Sequence, residues 1–122
     1  MDPSADIHFK EMKSHLKSSV DCLDKASKWI INSHDKITPD IAAVAVPYLR
    51  LLGIVCGGWL LIKSALIACK QNLPSSKARN FAKKKLISAH FYCNHFLIQT
   101  KYLEETVISG GKMVNLMSKD DF

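Results

Sequence analysis

Apolar and polar positions alternate with helical spacing from the first residues of the chain. Over residues 6–33, apolar or small side chains recur in steps of three and four, with charged residues between them. These positions are Phe9, Met12, Leu16, Ser19, Leu23, Ala26 and Ile30. Such spacing places side chains on one face of an α-helix. The pattern therefore predicts one long amphipathic helix over residues 6–33.

A second helix is predicted over residues 39–71. Thr38, Pro39 and Asp40 supply an N-cap, a first-turn proline and a first-turn acid. One apolar stripe then follows the helical spacing through Ile41, Ala45, Tyr48, Leu52, Val55, Trp59, Ile62, Leu66 and Cys69. Another lies beside it and contains Ala42, Val46, Leu49, Gly53, Cys56, Leu60 and Ile67. This helix is expected to be the buried one, because it is apolar around most of its circumference, and Pro47 is expected to kink its first turns.

A third helix is predicted over residues 76–109, after a break at residues 72–76. Its stripe contains Ala82, Leu86, Ala89, Cys93, Phe96, Thr100, Leu103 and Val107. Gly110 and Gly111 are predicted to end it as a C-cap, and the tail, residues 112–122, to add at most one short turn. No segment shows the strict alternation of a strand. The sequence thus predicts a single all-α domain over residues 1–122, an up-down-up bundle of three long antiparallel helices.

The central helix needs more cover than its two neighbours supply, because each neighbouring helix shields a limited arc. Gly53 and Gly57, with Gly58 adjacent, lower the side-chain height on one side and suit close contact with another backbone. Two interpretations stay open: the glycines relieve crowding inside the bundle, or they form a contact with another domain or subunit. The candidate contact residues are Tyr48, Leu52, Gly53, Cys56, Gly57, Trp59 and Leu60.

Charge and cysteine content narrow the possible partners and the compartment. The net charge is +6, yet only Arg50 and Arg79 among the basic residues are arginine. A lysine-rich surface argues more for solubility than for reading bases, so no nucleic-acid partner is expected. The four cysteines have no C-x-x-C spacing and the first ten residues lack the apolar run of a secretory signal. A reduced, cytoplasmic protein is expected.

Membrane insertion and metal binding are both disfavoured by spacing. Arg50 and Lys63 bracket an uncharged run, residues 51–62, that is shorter than the roughly 20 residues a membrane span needs. His90 and Cys93 share a helical face, but His95 turns away from them, and a zinc site needs three or four converging ligands. We therefore expect neither a membrane nor a bound metal.

Enzymatic chemistry has no support in the sequence, because a continuous helix keeps its backbone N–H groups in its own hydrogen bonds. No glycine-rich phosphate-binding loop occurs either. The basic run of Lys77, Arg79, Lys83, Lys84 and Lys85 is interpreted as a solvated face, with an acidic protein surface, a CoA phosphate or nucleic acid as the alternatives.

Two segments resemble a known family. The first is residues 47–53, PYLRLLG, followed by Gly57, Gly58, Trp59 and Leu60; the second is residues 85–97, KLISAHFYCNHFL. They are similar to the C-terminal extension of bacterial acyl-CoA dehydrogenase-like flavoenzymes, and the similarity spans essentially the whole chain. Two departures are visible: His90 stands where the family usually has Arg, and Ile98 where it often has Pro. Both are expected to leave the helical pattern intact.

The resemblance implies a non-catalytic helical module that packs onto the body of such an enzyme and shapes its subunit association. The catalytic carboxylate and the FAD contacts of the family lie in earlier domains, so no catalytic or cofactor-binding residue carries over and no cofactor is expected on this chain. The partner is then the catalytic domains of an acyl-CoA dehydrogenase or a second copy of the chain. The alternative is a stand-alone homo-oligomeric interaction protein with no enzymatic role.

Overall fold

The computed structural model describes residues 3–33, 39–71, 74–117 and 119–121, and within them the chain is helical without a strand. Five α-helices are Pro3–Asn32 (α1), Pro39–Ala43 (α2), Ala45–Lys70 (α3), Ser76–His95 (α4) and Thr100–Asn115 (α5). Short 3-10 turns cover Leu97–Gln99 and Lys119–Asp121. The all-α prediction is confirmed. The predicted N-cap Thr38 and part of each predicted connection lie outside the described residues.

The predicted helix over residues 39–71 is wrong as a continuous element, because it divides at Val44. The Val44 N–H donates to the Ile41 carbonyl at 3.1 Å, a three-residue step, and α3 then begins at Ala45. Pro47 explains the break, since a proline has no N–H and its ring clashes with the carbonyl four residues earlier, here that of Ala43. The kink predicted from Pro47 is therefore a full separation of α2 from α3.

The predicted helix over residues 76–109 is also wrong as one element, because it ends at His95 and restarts at Thr100. Two buried hydroxyls accompany this break. Ser19 Oγ donates to the Leu97 carbonyl at 3.1 Å, and Thr100 Oγ1 lies 2.7 Å from the same oxygen. The Leu97 carbonyl also accepts the Thr100 backbone N–H, so the two hydroxyls add side-chain contacts to a buried oxygen at the break. Ser19 and Thr100 lie in the predicted apolar stripes, but their hydroxyls contact the Leu97 carbonyl at the helix break instead of packing in the apolar core.

Gly110 and Gly111 do not end a helix, contrary to the C-cap prediction, because α5 continues to Asn115. None of the chain's five glycines has a positive φ. A Cβ on Gly111 would collide with the backbone carbonyl of Asp40 in α2. Asn115 Nδ2 donates to Asp40 Oδ1 at 2.9 Å beside this contact. The missing side chain at Gly111 thus lets α2 lie directly on α5.

Two groups of buried residues form the core between α1, α3 and the α4–α5 pair. The first contains Ala5, Met12, Ala65, Leu86, Ala89, Cys93 and Leu97. The second contains Ala26, Val44, Leu51, Val55, Leu103 and Val107. Helices α1 and α3 each contribute to both groups, and each contacts the other, α4 and α5.

Candidate functional site

The inner face of α3 is closed by side chains from the α4–α5 region. A Cβ on Gly57 would lie 2.7 Å from Tyr92 Oη, and one on Gly58 would lie 2.7 Å from a methyl group of Leu97. Tyr92 Oη also donates to the Ile54 carbonyl at 2.9 Å, which holds its ring against α3. Gly57 and Gly58 therefore serve packing inside the bundle, the first of the two interpretations left open by the sequence.

The outer face of α3 is bare in a single copy of the chain. It contains Val46, Leu49, Gly53, Cys56, Leu60, Lys63 and Ile67, all of them exposed. Val46 is 76% exposed, Leu49 67%, Leu60 55% and Ile67 52%. Among the described residues, no neighbouring atom lies within 4 Å of the position that a Gly53 Cβ would take. The expectation that this helix is buried around most of its circumference is therefore wrong for a single copy.

Trp59 lies at the edge of this outer face and is 50% exposed. The ammonium group of Lys63 lies 4.9 Å from the centre of its ring, within the range of a cation–π contact. The outer face therefore ends on this side with an indole and a cation.

The predicted contact residues divide between the two faces of α3. Gly53, Cys56, Trp59 and Leu60 are exposed on the outer side. Tyr48, Leu52 and Gly57 are half-buried. Tyr48 packs against the second core group, and its Oη lies 2.8 Å from Ser27 Oγ.

Val46, Leu49 and Ile67 were missing from the predicted contact residues, although they share the exposed stripe. The sequence did contain a signal for them, since the second apolar stripe of the central helix includes all three. The helical spacing identified the stripe, but it did not show that this stripe faces outward.

Helix α3 is also, among the described residues, the one helix long and apolar enough to cross a membrane. Length and composition alone give this result, and core helices of soluble proteins often meet the same criteria. In this fold α3 contacts α1, α4 and α5 along its inner side. Packing within the fold accounts for the apolar residues on the inner side of α3 but not for those on its outer side.

A buried polar cluster lies between α1 and α5. Glu104 is 4% exposed, with Lys101 Nζ 3.3 Å from its Oε2. Burial, followed by a hydrogen bond and charge repulsion from Glu104, raises the pKa of the Cys22 thiol, although Thr100 and Lys101 act in the opposite direction. Burial alone raises the pKa of Cys93 to about 11. Both thiols are kept in the protonated, weakly nucleophilic form near neutral pH.

His90, Cys93 and His95 do not converge. His90 Nε2 lies 2.9 Å from Glu11 Oε2, though without the angle of a hydrogen bond, and its Nδ1 lies 2.6 Å from His8 Nδ1. Cys93 is fully buried, whereas His95 is exposed and stacks on Phe91 with ring centres 4.0 Å apart. Within residues 3–33, 39–71, 74–117 and 119–121, no group of three or more His, Cys, Asp or Glu side chains is arranged to hold a metal.

The basic run lies on the first turns of α4. Lys77, Arg79, Lys83 and Lys84 are exposed, and Lys85 is half-buried with its Nζ 5.6 Å from the Phe81 ring centre. Ser75 caps this helix by accepting the Ala78 N–H at 3.1 Å. Exposure of this run is compatible with a solvated face and with contact to an acidic partner, so both interpretations from the sequence stay open.

The geometry thus defines a class of protein: a small helical domain whose distinctive surface is an exposed apolar face on its central helix. The family described as "Acetyl-CoA dehydrogenase C-terminal like" matches residues 2–118, and the chain belongs to this family. Comparison with curated proteins gives no match, and comparison with solved structures gives none either. The resemblance seen in the sequence is confirmed at the level of the family.

Proposed function

We propose that this chain is a non-catalytic helical module of an acyl-CoA dehydrogenase-like flavoenzyme and that it packs against protein through the outer face of α3. The observation that carries the proposal is the set of large apolar side chains exposed on that face, from Val46 to Ile67. Family membership supplies the class of enzyme. We propose that the module contributes to the enzyme by packing through this face and by promoting subunit association.

The size of the exposed face supports a contact surface. Val46, Leu49, Trp59, Leu60 and Ile67 are each at least half exposed. Together they present on the order of 500 Å² of apolar surface, near the upper end for the largest patch on a monomeric protein. At about 25 cal/mol per Å², covering that area would contribute on the order of 10 kcal/mol before the entropic cost of association. Association costs about 4–15 kcal/mol in lost translational and rotational freedom, so we expect docking through this face to be reversible.

The proposed arrangement of the bundle is up-down-up, with α1 parallel to α4–α5 and α3 antiparallel to both. The composition of the two core groups supports it. Ala5 and Met12, early in α1, pack with Ala65, late in α3. Ala26, late in α1, packs with Leu51 and Val55, early in α3. This order leaves one side of α3 uncovered, because only two other helical columns are available to enclose it.

A non-catalytic role for the chain is supported by the state of its polar side chains. The buried thiols of Cys22 and Cys93 have raised pKa values. The buried hydroxyls of Ser19 and Thr100 bond to the Leu97 carbonyl. These groups serve the fold, so chemistry on the flavin would belong to other domains. All four cysteines are free, which supports a reducing compartment and hence the proposed cytoplasmic location.

Binding of this chain to an acyl-CoA dehydrogenase-like flavoenzyme that lacks its C-terminal module tests the proposal. We expect saturable association by calorimetry, lost in Leu60→Asp but retained in Val20→Asp, a matched control at an exposed position of α1. The purified chain should show no flavin absorbance and no acyl-CoA oxidation. Stoichiometric flavin on the chain alone, or binding equal for both variants, would contradict the proposal.

A further inference from the structure

We infer that a second copy of this chain covers the outer face of α3, with the two α3 helices lying antiparallel across a twofold axis near Ile54 and Val55. This inference rests on the proposed function, because it identifies the partner of the same surface. It differs from docking onto the catalytic domains of an enzyme, which would leave the isolated chain monomeric.

The spacing of the outer face is that of a helix–helix seam. Its members follow steps that alternate strictly between three and four: Val46, Leu49, Gly53, Cys56, Leu60, Lys63 and Ile67. A repeat of 3.5 residues keeps one narrow stripe facing a partner helix over several turns. All seven residues are exposed, so none of the helices that the structure describes occupies this seam in the same copy.

The seam is self-complementary when it is read in opposite directions. Around its centre, Gly53 faces Cys56 of the second copy, and these two small residues allow the backbones to approach closely. Leu49 then faces Leu60 of the second copy in the flanking layers, which places large apolar side chains on both sides of the close contact. A parallel pairing would instead stack Gly53 on Gly53 and Lys63 on Lys63.

The charges of α3 are compatible with antiparallel pairing. In this register the Lys63 ammonium groups of the two copies are about 25 Å apart along the helix axes at 1.5 Å per residue. Lys63 lies opposite Val46 of the second copy, where its aliphatic stem can cover that side chain while its ammonium group reaches solvent. No acidic residue lies on α3 to require a basic partner. The two Lys63 ammonium groups therefore stay apart although each copy carries a net charge of +6.

The available area predicts a reversible dimer. Complete burial of the exposed apolar surface, on the order of 500 Å² per copy, would give at most about 1,000 Å² in total, the lower limit for a specific interface. We therefore expect a dissociation constant in the micromolar range, about 1–100 μM.

Sedimentation equilibrium on the full chain over about 1–500 μM brackets that range and tests the dimer. We expect a monomer–dimer equilibrium that Leu49→Glu weakens at least tenfold, since a carboxylate would be buried opposite Leu60. The control Val20→Glu, on the exposed side of α1, should leave the equilibrium unchanged. Circular dichroism of each variant verifies that the fold is retained.

A charge exchange tests the register. Leu60→Lys alone should weaken the dimer as Leu49→Glu does, but the double variant should regain at least half of the lost association free energy. Antiparallel pairing forms two ion pairs between positions 49 and 60, whereas parallel pairing would juxtapose like charges. Failure of the double variant to recover dimerisation would overturn this register.

Crosslinking through Cys56 gives an independent readout, because it is the exposed cysteine of the four. In the antiparallel register the two Cys56 residues are offset by about 4.5 Å along the axes. A short bismaleimide should therefore link wild-type dimers and fail to link Cys56→Ser. A monomer throughout the concentration range, a dimer unaffected by Leu49→Glu, or assembly only on lipid vesicles would overturn the inference. If the monomeric chain still binds the truncated flavoenzyme, the proposed function stands while self-pairing fails.

Discussion

The two faces of α3 have similar composition but different environments. On the inner face, Gly57 and Gly58 are covered by Tyr92 and Leu97. On the outer face, nothing in the described part of the chain covers Gly53, and Leu60 is 55% exposed. Both faces show the same spacing of three and four in the sequence. The difference teaches that helical spacing identifies an apolar stripe but does not decide whether the fold itself or a partner covers it.

The largest contrast should come from truncating Leu97, which packs on the inner face of α3, and Leu60, which lies on its outer face. Leu97→Ala leaves a cavity over Gly58, since Leu97 is 1% exposed, and should lower the free energy of unfolding by about 2–5 kcal/mol. Leu60→Ala should change it by less than about 0.5 kcal/mol. Urea unfolding at low protein concentration, where the chain is monomeric, measures both. Equal losses would show that the outer face is covered within one copy.

Gly111 provides a second test of close packing. Gly111→Ala places a methyl group against the Asp40 backbone carbonyl, and backbone cannot yield as a flexible side chain does. We expect a loss of about 2 kcal/mol from displacement of α2. Its neighbour Gly110 meets only a Thr106 methyl group at 3.3 Å, so Gly110→Ala should cost little or gain from helix propensity. Thermal unfolding of both variants makes the comparison, and equal Tm values would contradict the contact between α2 and α5.

Alkaline pH should lower the free energy of unfolding through the buried Cys93 thiol on the inner side of the bundle. The exposed Cys56 thiol on the outer face should not contribute. Burial raises the pKa of Cys93 from 9.0 to about 11, so an unfolded chain loses this proton at lower pH than the folded one. Stability is therefore full below pH 9 and falls as the pH rises from 9 to 11, by about 2 kcal/mol for this thiol. Denaturant titrations across that range should show a flatter decline in Cys93→Ala and an unchanged decline in Cys56→Ser. A decline in Cys93→Ala as steep as that of the wild type would contradict the assignment.

The smallest effects should come from adding a methyl group to the glycines of α3. Gly57→Ala brings a Cβ to 2.7 Å from Tyr92 Oη and should cost about 1 kcal/mol, despite the better helix propensity of alanine. Gly53→Ala meets nothing and should stabilise the dilute chain by up to about 1 kcal/mol. In a Tyr92→Phe background the cost at Gly57 should shrink, because the closest atom is gone. A cost at Gly53 in dilute protein would contradict its open surroundings.

The sequence predicted the helical class and the long first helix well, because α1 has a regular stripe and no proline inside it. It also predicted an effect of Pro47, although the separation at Val44 was stronger than a kink. The breaks were harder to see. Ser19 and Thr100 lie in apolar stripes for a reason that appears only when both reach the Leu97 carbonyl, 78 residues away from Ser19 along the chain.

The 3-10 turn around Ile98 and the packing role of Gly111 could not be predicted from the sequence pattern either. Ile98 occupies a position where the related family often has Pro, and we expected the helix to continue through it. The structure instead has a 3-10 turn at Leu97–Gln99, as a proline there would favour. Gly111 looked like a C-cap because glycine has that role locally, whereas its contact with Asp40 is long-range. Local sequence rules predicted one role for Ile98 and Gly111. Their observed structure depends on contacts with residues far away along the chain.

Alkylation kinetics at Cys56 test most directly whether the outer face of α3 is a contact surface for protein. In dilute protein Cys56 should react quickly with a maleimide, while the buried thiols of Cys22 and Cys93 react slowly. In the assembled state, formed at high concentration or with the truncated flavoenzyme, the Cys56 rate should fall at least tenfold. A rate at Cys56 that is the same in the dilute chain and in both assemblies would contradict the account.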